Sequence, residues 1–291
     1  MGVKDSQPLR AFFGHHKCAT SWIDQILMEI SFHMGLHLEI VHRPVKWAQH
    51  GSLPALVQSV DADIVAYTNA TMDHIADLPF AYGFHVIRDP RDILVSAYFS
   101  HLKTHPTDNW PELESHRTRL ANLSKEEGLF AEMDFSARQF EDMYNWDYEQ
   151  PNVLEYKLEE LSPAPYAGFT TIMRHLQLLD EQEVHPLTYL SLWINRWLYR
   201  VRHIIPRTMH PPRLIKHHTL PARTLDEIVE MKSFKKLSGG RTRGEEDASS
   251  HFRKGEPGDW ANHFTKQHKE AFKDRFNEVL VKLGYEDDAS W

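Results

Sequence analysis

The sequence predicts an α/β fold in which helices cover a central parallel sheet. Short apolar runs typical of buried strands alternate with stretches of helical periodicity, and two of these runs pass through a tight turn directly into a helix. Strands separated by helices favour a parallel sheet. No repeat or low-complexity linker divides the 291 residues, which are enough to bury a sizeable core. We therefore predict one domain over residues 1–291.

The first strand–turn–helix unit lies near the N-terminus. Phe12 and Phe13 end a predicted strand, Gly14 permits a turn, and the apolar residues of 22–30 recur at helical spacing. A helix N-terminus offers unpaired N–H groups and a positive dipole end, so Lys17, Thr20 and Ser21 are suited to surround one phosphate. The P-loop pattern GxxxxGK[ST] is absent, and an ordinary N-cap is the alternative interpretation.

The remaining elements follow in order. Further strands are predicted at 36–41, 63–67, 82–87 and 153–158, a helix from residue 93, a loop with a broken helix over 103–127, and an aromatic amphipathic helix over 128–148. Arg88 ends the strand at 82–87, and Ser96 follows about two helical turns later, so both are suited to face one anion. The alternative is that Arg88-Asp89 and Arg91-Asp92 form surface ion pairs.

Composition excludes several classes of protein. The formal net charge of -8 argues against a general nucleic-acid binder, which needs a broad positive surface. A single cysteine, Cys18, excludes an internal disulfide, and no apolar run is long enough to span a membrane, so a cytoplasmic protein is expected. The 20 histidines are scattered without an HExxH or Cys/His cluster, and no metal is predicted.

A third basic stretch, at residues 251–260, combines adjacent cations with two glycines. Arg253 and Lys254 precede Gly255 and Gly258, a composition suited to wrapping backbone and guanidinium around a phosphate. The three stretches, in this order, resemble the three signatures of the cytosolic-type sulfotransferases. The resemblance covers nearly the whole chain and implies the P-loop-like nucleotide-binding fold of that family.

The resemblance also implies a co-substrate and roles for individual residues. The co-substrate is 3′-phosphoadenosine 5′-phosphosulfate (PAPS), with Lys17 as the electrophilic catalyst, and no metal is implied. The first segment, which would hold the 5′-phosphosulfate and flank the adenine, comprises His16, Lys17, Cys18, Ala19, Thr20, Ser21 and Trp22. The 3′-phosphate would be held by Arg88, Ser96, Arg253, Lys254 and Gly255, and the adenine would stack on Phe234. A packed helix aromatic is the alternative interpretation of Phe234.

Several positions depart from the family pattern. Ala19 stands where the family has glycine, which would strain a backbone with positive φ. The family tyrosine of the strand near residue 158 is missing, and Tyr156 is a substitute on the same strand face. Asn69 lies where the family's catalytic histidine is expected, and an amide is not a general base.

Another group must therefore take the proton of the acceptor. His74 follows the expected strand most closely, and Glu39 occupies a place comparable to the glutamate used by one branch of sulfotransferases. These two are equal candidates, followed by His16 and His42, and each also has a structural interpretation.

Residues 185–222 are a candidate acceptor lid or insertion. An aromatic stripe at helical spacing runs from Tyr189 through Trp193 and Trp197 to Val201, and basic residues follow at Arg200, Arg202, Arg207 and Arg213. The stripe either packs in the core or covers an apolar or amphiphilic acceptor, with the basic residues meeting its polar end or a membrane surface.

The sequence thus predicts an enzyme that transfers a sulfuryl group from PAPS to a hydroxyl or amine and releases adenosine 3′,5′-bisphosphate (PAP). The acceptor is a small molecule or lipid-like; its identity and the oligomeric state are not predicted. A non-catalytic nucleotide-binding module and a P-loop kinase are the alternatives, and the absent GK[ST] step argues against the kinase.

Overall fold

The computed structural model of the chain describes residues 8–108, 110–182, 184–202 and 214–291. The chain forms two compact units that are interleaved in sequence. The first unit comprises the N-terminal stretch up to Gly14 together with Ala19–Val86 and Tyr148–Lys232. The second comprises His15–Cys18, Ile87–Asp147 and Ser233–Trp291.

The first unit contains the central sheet, whose order is β2-β3-β1-β4-β5. Its strands are β1 (Leu9–Gly14), β2 (Leu38–Val41), β3 (Ile64–Tyr67), β4 (Phe80–Ile87) and β5 (Val153–Lys157). β1 pairs in parallel with both β3 and β4, and β2 with β3. Strand β3 is buried at every position, as expected for a central strand covered on both faces. The predicted α/β class with a parallel sheet is therefore confirmed.

The helices described in the first unit are α1 (Thr20–Met34), α2 (Leu53–Ser59), α3 (Met72–Ile75), α7 (Leu158–Leu161), α8 (Pro165–His175), α9 (Pro186–Arg202) and α10 (Ala222–Met231). Helix α1 follows β1 and packs against α9 and α10. A small parallel pair joins β6 (Leu179–Asp180) to β7 (Leu220–Pro221). Ile23, Ile26, Leu27 and Ile30 are at most 1% exposed, because their spacing puts them on the inner face of α1.

The second unit is helical in its described part. Its helices are α4 (Pro90–Phe99), α5 (Pro111–Leu120), α6 (Lys125–Asn145), α11 (Phe234–Leu237) and α12 (Lys266–Lys282). A π-helical turn, Ser100–Thr104, extends α4. α6 begins with a capping box formed by Ser124 and Glu127, and packs against α4 and α12.

The predicted elements agree with the structure to within a few residues, and the polar stretch 103–127 contains the helix α5 after a break. Among the helices in the described part of the chain, none has the length and apolarity needed to cross a membrane.

Candidate nucleotide-binding and catalytic site

The turn after β1 has an unusual backbone. Lys17 and Ala19 both adopt positive φ, at 65° and 58°, in the left-handed region that side chains other than glycine disfavour. Ala19 is the N-cap of α1 at this angle. Ala19 therefore has the positive φ at which an alanine was expected to be strained.

The N-terminus of α1 lacks a side-chain cap. Ala19 supplies no side-chain hydrogen bond to the helix, and its first turn carries no acidic residue. Thr20 and Ser21 are the first two residues of the helix. Such an end presents N–H groups and a positive dipole, which suits an anion.

Trp22 is held firmly in the first unit. Its indole Nε1 donates to the carbonyl of Lys232 at 2.8 Å, and its ring meets Phe169 edge to face. Lys232 is two residues before Phe234 in the chain. The indole therefore anchors the backbone at the end of α10.

A small pocket in the second unit brings together three predicted site residues from distant segments. Lys17, Ser96 and Arg253 line it. The remaining lining residues are Phe99, Ser100, Thr104, Ala248, Ser250 and His251. Hydroxyl and cationic groups dominate this lining, which is suited to bind an anion.

The ammonium of Lys17 lies in a cationic environment. The pKa of Lys17 is lowered to about 8, mainly by burial and in addition by the charges of Arg88 and Arg253, while the charge of Glu132 acts in the opposite direction. A cluster of like charges is unfavourable unless a bound anion compensates it.

Arg88, at the end of β4, contacts the turn through its guanidinium. Its Nη1 donates to the carbonyl of Lys17 at 3.3 Å, and its Nη2 lies 3.9 Å from Asp92. Asp92 is 1% exposed and accepts hydrogen bonds from the backbone N–H groups of Gly258 and Trp260 at 2.6 and 2.9 Å. Asp92 thereby fastens the start of the C-terminal segment to α4.

The alternative interpretation, surface ion pairs of Arg88-Asp89 and Arg91-Asp92, differs from the structure both in the partners and in burial. Arg91 and Asp89 are only 3% and 6% exposed and pair with each other at 2.7 Å. Arg91 also lies over the ring of Trp260, 4.1 Å from its centroid. Arg91 and Asp89 thus hold α4 and the C-terminal segment together. Arg88, and not Arg91, is the arginine that donates to the turn after β1.

Arg253 and Lys254 converge on one carboxylate. Both donate to Asp259, Lys254 at a distance of 2.6 Å, and Arg253 also donates to Glu246 at 2.6 Å. Burial alone would raise the pKa of Asp259, but hydrogen bonds from His263, Lys254 and other donors lower it far below its usual range. The Nε of Arg253 is buried without a hydrogen-bond partner.

Phe234 and Gly255, which the sequence nominated separately, are in direct contact. Gly255 has φ of 72°, and a Cβ built on it would lie 2.6 Å from the phenyl ring. Glycine is thus required here for two reasons, the backbone angle and the close approach of the ring.

Of the four candidates for a general base, His74, Glu39 and His42 lie in the first unit and His16 lies in the second. His74 Nδ1 is 2.7 Å from the hydroxyl of Tyr67, and Glu39 pairs with Lys46 at 2.7 Å. His42 Nδ1 is 2.8 Å from Thr68 Oγ1, and burial lowers its pKa. Asn69 donates to the carbonyl of His42 at 2.6 Å. Each group has a protein partner.

The aromatic stripe of α9 is exposed. Leu190, Trp193 and Trp197 are 51%, 59% and 50% exposed, whereas Leu192 and Asn195 form the buried face. Core packing is therefore the wrong interpretation for these three side chains. Of the basic residues predicted to follow, Arg207 and Arg213 lie outside the described residues, as does part of the 185–222 segment.

Sequence reasoning missed a histidine network in the second unit, which consists of His16 and the buried residues His101, His116 and Glu132. Its hydrogen bonds link His16 to His101 and both His101 and His116 to Glu132, each at 2.9 Å. His101, His116 and Glu132 also present potential metal-donor atoms within 4.8 Å of one another. Because the three histidines are scattered along the sequence, no motif revealed this cluster. His251 was passed over too, although it begins the basic stretch at residues 251–260.

Comparison with known proteins agrees with the predicted family. Residues 212–284 match the model of the sulfotransferase domain family, and this segment includes Phe234, Arg253, Lys254 and Gly255. No curated protein matches the chain significantly. Among solved structures, mouse sulfotransferase SULT7A1 complexed with PAP is similar with a TM-score of 0.51 and 14% identity, over 95% of this chain and 86% of that one.

A retinol dehydratase in complex with androsterone and inactive cofactor PAP gives a TM-score of 0.45 and 13% identity, over 94% of this chain and 81% of that one. At such identities the structural similarity concerns the fold. The family model thus matches the C-terminal quarter of the chain, and the similarity to the mouse sulfotransferase concerns the fold of nearly the whole chain.

Proposed function

We propose that this protein transfers a sulfuryl group from PAPS to a hydroxyl or amine of a small or amphiphilic acceptor and releases PAP. The observation that carries the proposal is the cluster of Lys17, Arg88 and Arg253, in which the neighbouring cations help lower the pKa of Lys17 to about 8. Together with the buried Nε of Arg253, which lacks a partner, this cluster fits a polyanionic ligand.

The residues divide by the phosphate that they would bind. Thr20, Ser21 and the N–H groups that begin α1 would hold the 5′-phosphosulfate, with Trp22 beside the adenine. Arg88, Ser96 and the segment Arg253 to Gly255 would hold the 3′-phosphate. Phe234, whose ring contacts Gly255, would stack on the base. His16, Cys18 and Ala19 would contribute through the shape of the turn.

Lys17 would act on the leaving side of the reaction. Sulfuryl transfer resembles loose phosphoryl transfer, in which positioning and neutralisation of charge on the leaving group supply most of the catalysis. The ammonium of Lys17 would neutralise charge on the departing phosphate, and the uncapped end of α1 would add its dipole. The group supplied by PAPS is the sulfuryl itself, and no metal is required of the chain for this chemistry.

The acceptor side of the reaction needs a base and a surface that binds the acceptor. His74 and Glu39 are our sequence-based candidates for the base, and the exposed stripe of Leu190, Trp193 and Trp197 supports a lid for an apolar or amphiphilic acceptor. We also propose that the enzyme acts in the cytoplasm, since its single cysteine, Cys18, is buried and free.

Thermal denaturation with nucleotides tests the donor site. PAP should raise the melting temperature, whereas ATP, which lacks the 3′-phosphate, should do so much less. Arg253→Lys keeps the charge but removes the Nε–H, and should weaken PAP binding about 10- to 100-fold. Arg174→Ala, which removes an exposed ion pair with Glu181, is the matched control. It should leave the rise in melting temperature caused by PAP (the PAP shift) unchanged. Equal stabilisation by ATP and PAP would contradict the assignment of the 3′-phosphate.

One observation favours a second candidate, a non-catalytic PAP-binding module. Asn69 replaces the expected histidine and is engaged with the carbonyl of His42. Such a module would show the PAP shift but no transfer from PAPS to any hydroxyl or amine, so an acceptor screen with labelled PAPS separates the two functions.

A further inference from the structure

Two histidines and a glutamate from three different elements meet in the second unit. His101 lies on the π-helical turn that extends α4, His116 on α5 and Glu132 on α6. Their exposed fractions are 1%, 6% and 0%. Among the described residues, they are the single group of three whose potential metal-donor atoms all lie within 4.8 Å of one another. We call these three residues the His–Glu cluster.

The carboxylate of Glu132 presents one oxygen to each histidine of the cluster. Its Oε1 is 2.9 Å from Nδ1 of His101, and its Oε2 is 2.9 Å from Nε2 of His116. Two nitrogens and two oxygens therefore converge from three side chains. Two histidines and one glutamate form a donor set that holds zinc in proteins, and four is the coordination number that zinc prefers.

The spacing of these atoms is close to the spacing of ligands around a zinc ion. At bond lengths of about 2.0–2.2 Å, donors at the corners of a tetrahedron lie roughly 3.3–3.6 Å apart. The N–O separations of 2.9 Å are slightly shorter than this value, and the 4.8 Å limit of the cluster is longer. Side-chain movements of roughly 0.5 Å would thus bring the donors to bonding distance from one ion.

The cluster buries a carboxylate that a cation would compensate. Glu132 is 0% exposed, and its Oε1 also accepts a hydrogen bond from Oγ of Ser136 at 2.9 Å. A buried carboxylate is costly unless it is paired or coordinates a metal. A neutral imidazole donates a hydrogen bond but carries no charge. A divalent cation among the three residues would balance the carboxylate and would bind the lone pairs of the imidazole nitrogens.

Contacts of the kind that orient metal ligands surround the cluster. Nε2 of His101, the ring nitrogen on the side away from Glu132, lies 2.9 Å from Nε2 of His16. Arg117, next to His116 on α5, donates to the carbonyl of His101 at 2.6 Å. Together with the hydroxyl of Ser136, these contacts fix the rings and the carboxylate in place, as outer partners do in metal sites.

We propose that His101, His116 and Glu132 bind one zinc ion, which joins the π-helical turn, α5 and α6. Zinc fits better than non-haem iron, because iron sites with this donor set keep open positions, whereas both carboxylate oxygens here face ring nitrogens. This site differs from the sequence-based expectation that no metal is bound, and it does not depend on the proposed function.

The role of the ion would be structural. The π-helical turn that carries His101 also contributes Ser100 and Thr104 to the anion pocket. An ion that ties this turn to α5 and α6 would therefore hold one wall of the pocket. Since a metal that binds the folded chain stabilises it, loss of zinc should lower the melting temperature.

Metal analysis of the full chain, purified without a histidine tag from a medium that contains zinc, tests the site. The protein should contain one zinc ion per chain. Removal of zinc with a chelator should lower the melting temperature, and one equivalent of zinc chloride should restore it. Cobalt(II) added in place of zinc should give the visible absorption bands of a four-coordinate site.

Variants locate the ion. His116→Gln and Glu132→Gln should each weaken zinc binding more than about 100-fold, and Ser136→Ala, which removes an outer hydrogen bond, about 10-fold. His33→Gln is the matched control, because it removes a histidine of the first unit that is likewise buried, at 7% exposure. This control should retain one zinc ion per chain.

Two results would overturn the proposal. The first is a wild-type protein that contains no zinc and whose melting temperature does not change when zinc is added after chelation. The second is full retention of zinc by both His116→Gln and Glu132→Gln, since the ion would then be held elsewhere. The wild-type measurements need no variant, so they decide the matter even where a variant fails to fold. Absence of a PAP shift would contradict the proposed function and not the zinc site.

Discussion

Gly255 lies so close to the ring of Phe234 that a Cβ on residue 255 would come within 2.6 Å of the ring's Cε2 atom. The sequence nominated these residues separately, one for the adenine and one for the 3′-phosphate, and they are 21 positions apart. Their contact means that the loop at Gly255 and the aromatic at Phe234 must be placed together.

Gly255→Ala should therefore disturb both the loop at residue 255 and the position of the Phe234 ring. The methyl group would displace the ring and also strain a backbone at φ of 72°. We expect the variant to lose about 1–3 kcal/mol, either in the free energy of unfolding or in the free energy of PAP binding. Calorimetry with PAP measures the effect. Gly239→Ala is the control for backbone strain alone, since its φ is 77° and no atom lies within 4 Å of the added Cβ. Equal PAP binding by both variants would contradict the role of the ring contact.

The charge of Lys17 should destabilise the protein when no anion is bound. Because the pKa of Lys17 is lowered to about 8 from the 10.5 of an ordinary lysine, the unfolded chain binds more protons between these pH values. The unfavourable contribution is complete below pH 8 and fades as the pH rises to about 10. Lys17→Met should thus melt at a higher temperature than the wild type at pH 7, and the difference should shrink toward pH 10. A variant that is less stable at pH 7 would contradict this account.

The same group makes PAP binding depend on pH. A bound anion favours the charged form of Lys17 and raises its pKa, so binding takes up a proton above pH 8. PAP affinity should fall as the pH rises through about 8, by up to about tenfold per pH unit. Titration calorimetry in two buffers of different ionisation enthalpy detects the proton uptake, and Lys17→Met should abolish it.

Local patterns allowed the elements and the phosphate segments to be predicted, because a strand, a turn and a helix are encoded by neighbouring residues. The partners of Glu132 could not be predicted, since His16, His101 and His116 come from three segments and none has a motif around it. The exposure of Trp193 was also missed. Helical spacing reveals that aromatics share a face, but not whether that face is buried.

Ala19→Gly should stabilise the protein. Ala19 has φ of 58° at the N-cap of α1, where glycine has no Cβ to strain, and relief of this strain should exceed the greater entropy that glycine loses on folding. We expect a gain of about 0.5–1 kcal/mol in the free energy of unfolding. Ala167→Gly, on the exposed face of α8, should instead cost about 0.5–1 kcal/mol. Chemical denaturation compares the two, and a loss of stability in both would contradict strain at Ala19.

Asp24 on α1 carries a buried carboxyl whose Oδ1 has no hydrogen-bond partner, and the side chain is 6% exposed. Burial raises its pKa to about 7, from the 3.8 of an ordinary aspartate. Between these pH values the folded state binds more protons than the unfolded chain, so the stability contributed by this group decreases as the pH rises. Asp24→Asn removes the free-energy cost of ionising this buried carboxyl.

The variant should melt at a higher temperature than the wild type at pH 8, by an amount equivalent to about 1–3 kcal/mol, and the advantage should diminish as the pH falls to 4. Asp274→Asn, at an exposed position of α12, is the control and should change the melting temperature little at either pH. If Asp24→Asn gave the same shift at pH 4 and pH 8, the cause would be packing and not the carboxyl charge. A lower melting temperature at pH 8 would show that the ionised Asp24 stabilises the fold.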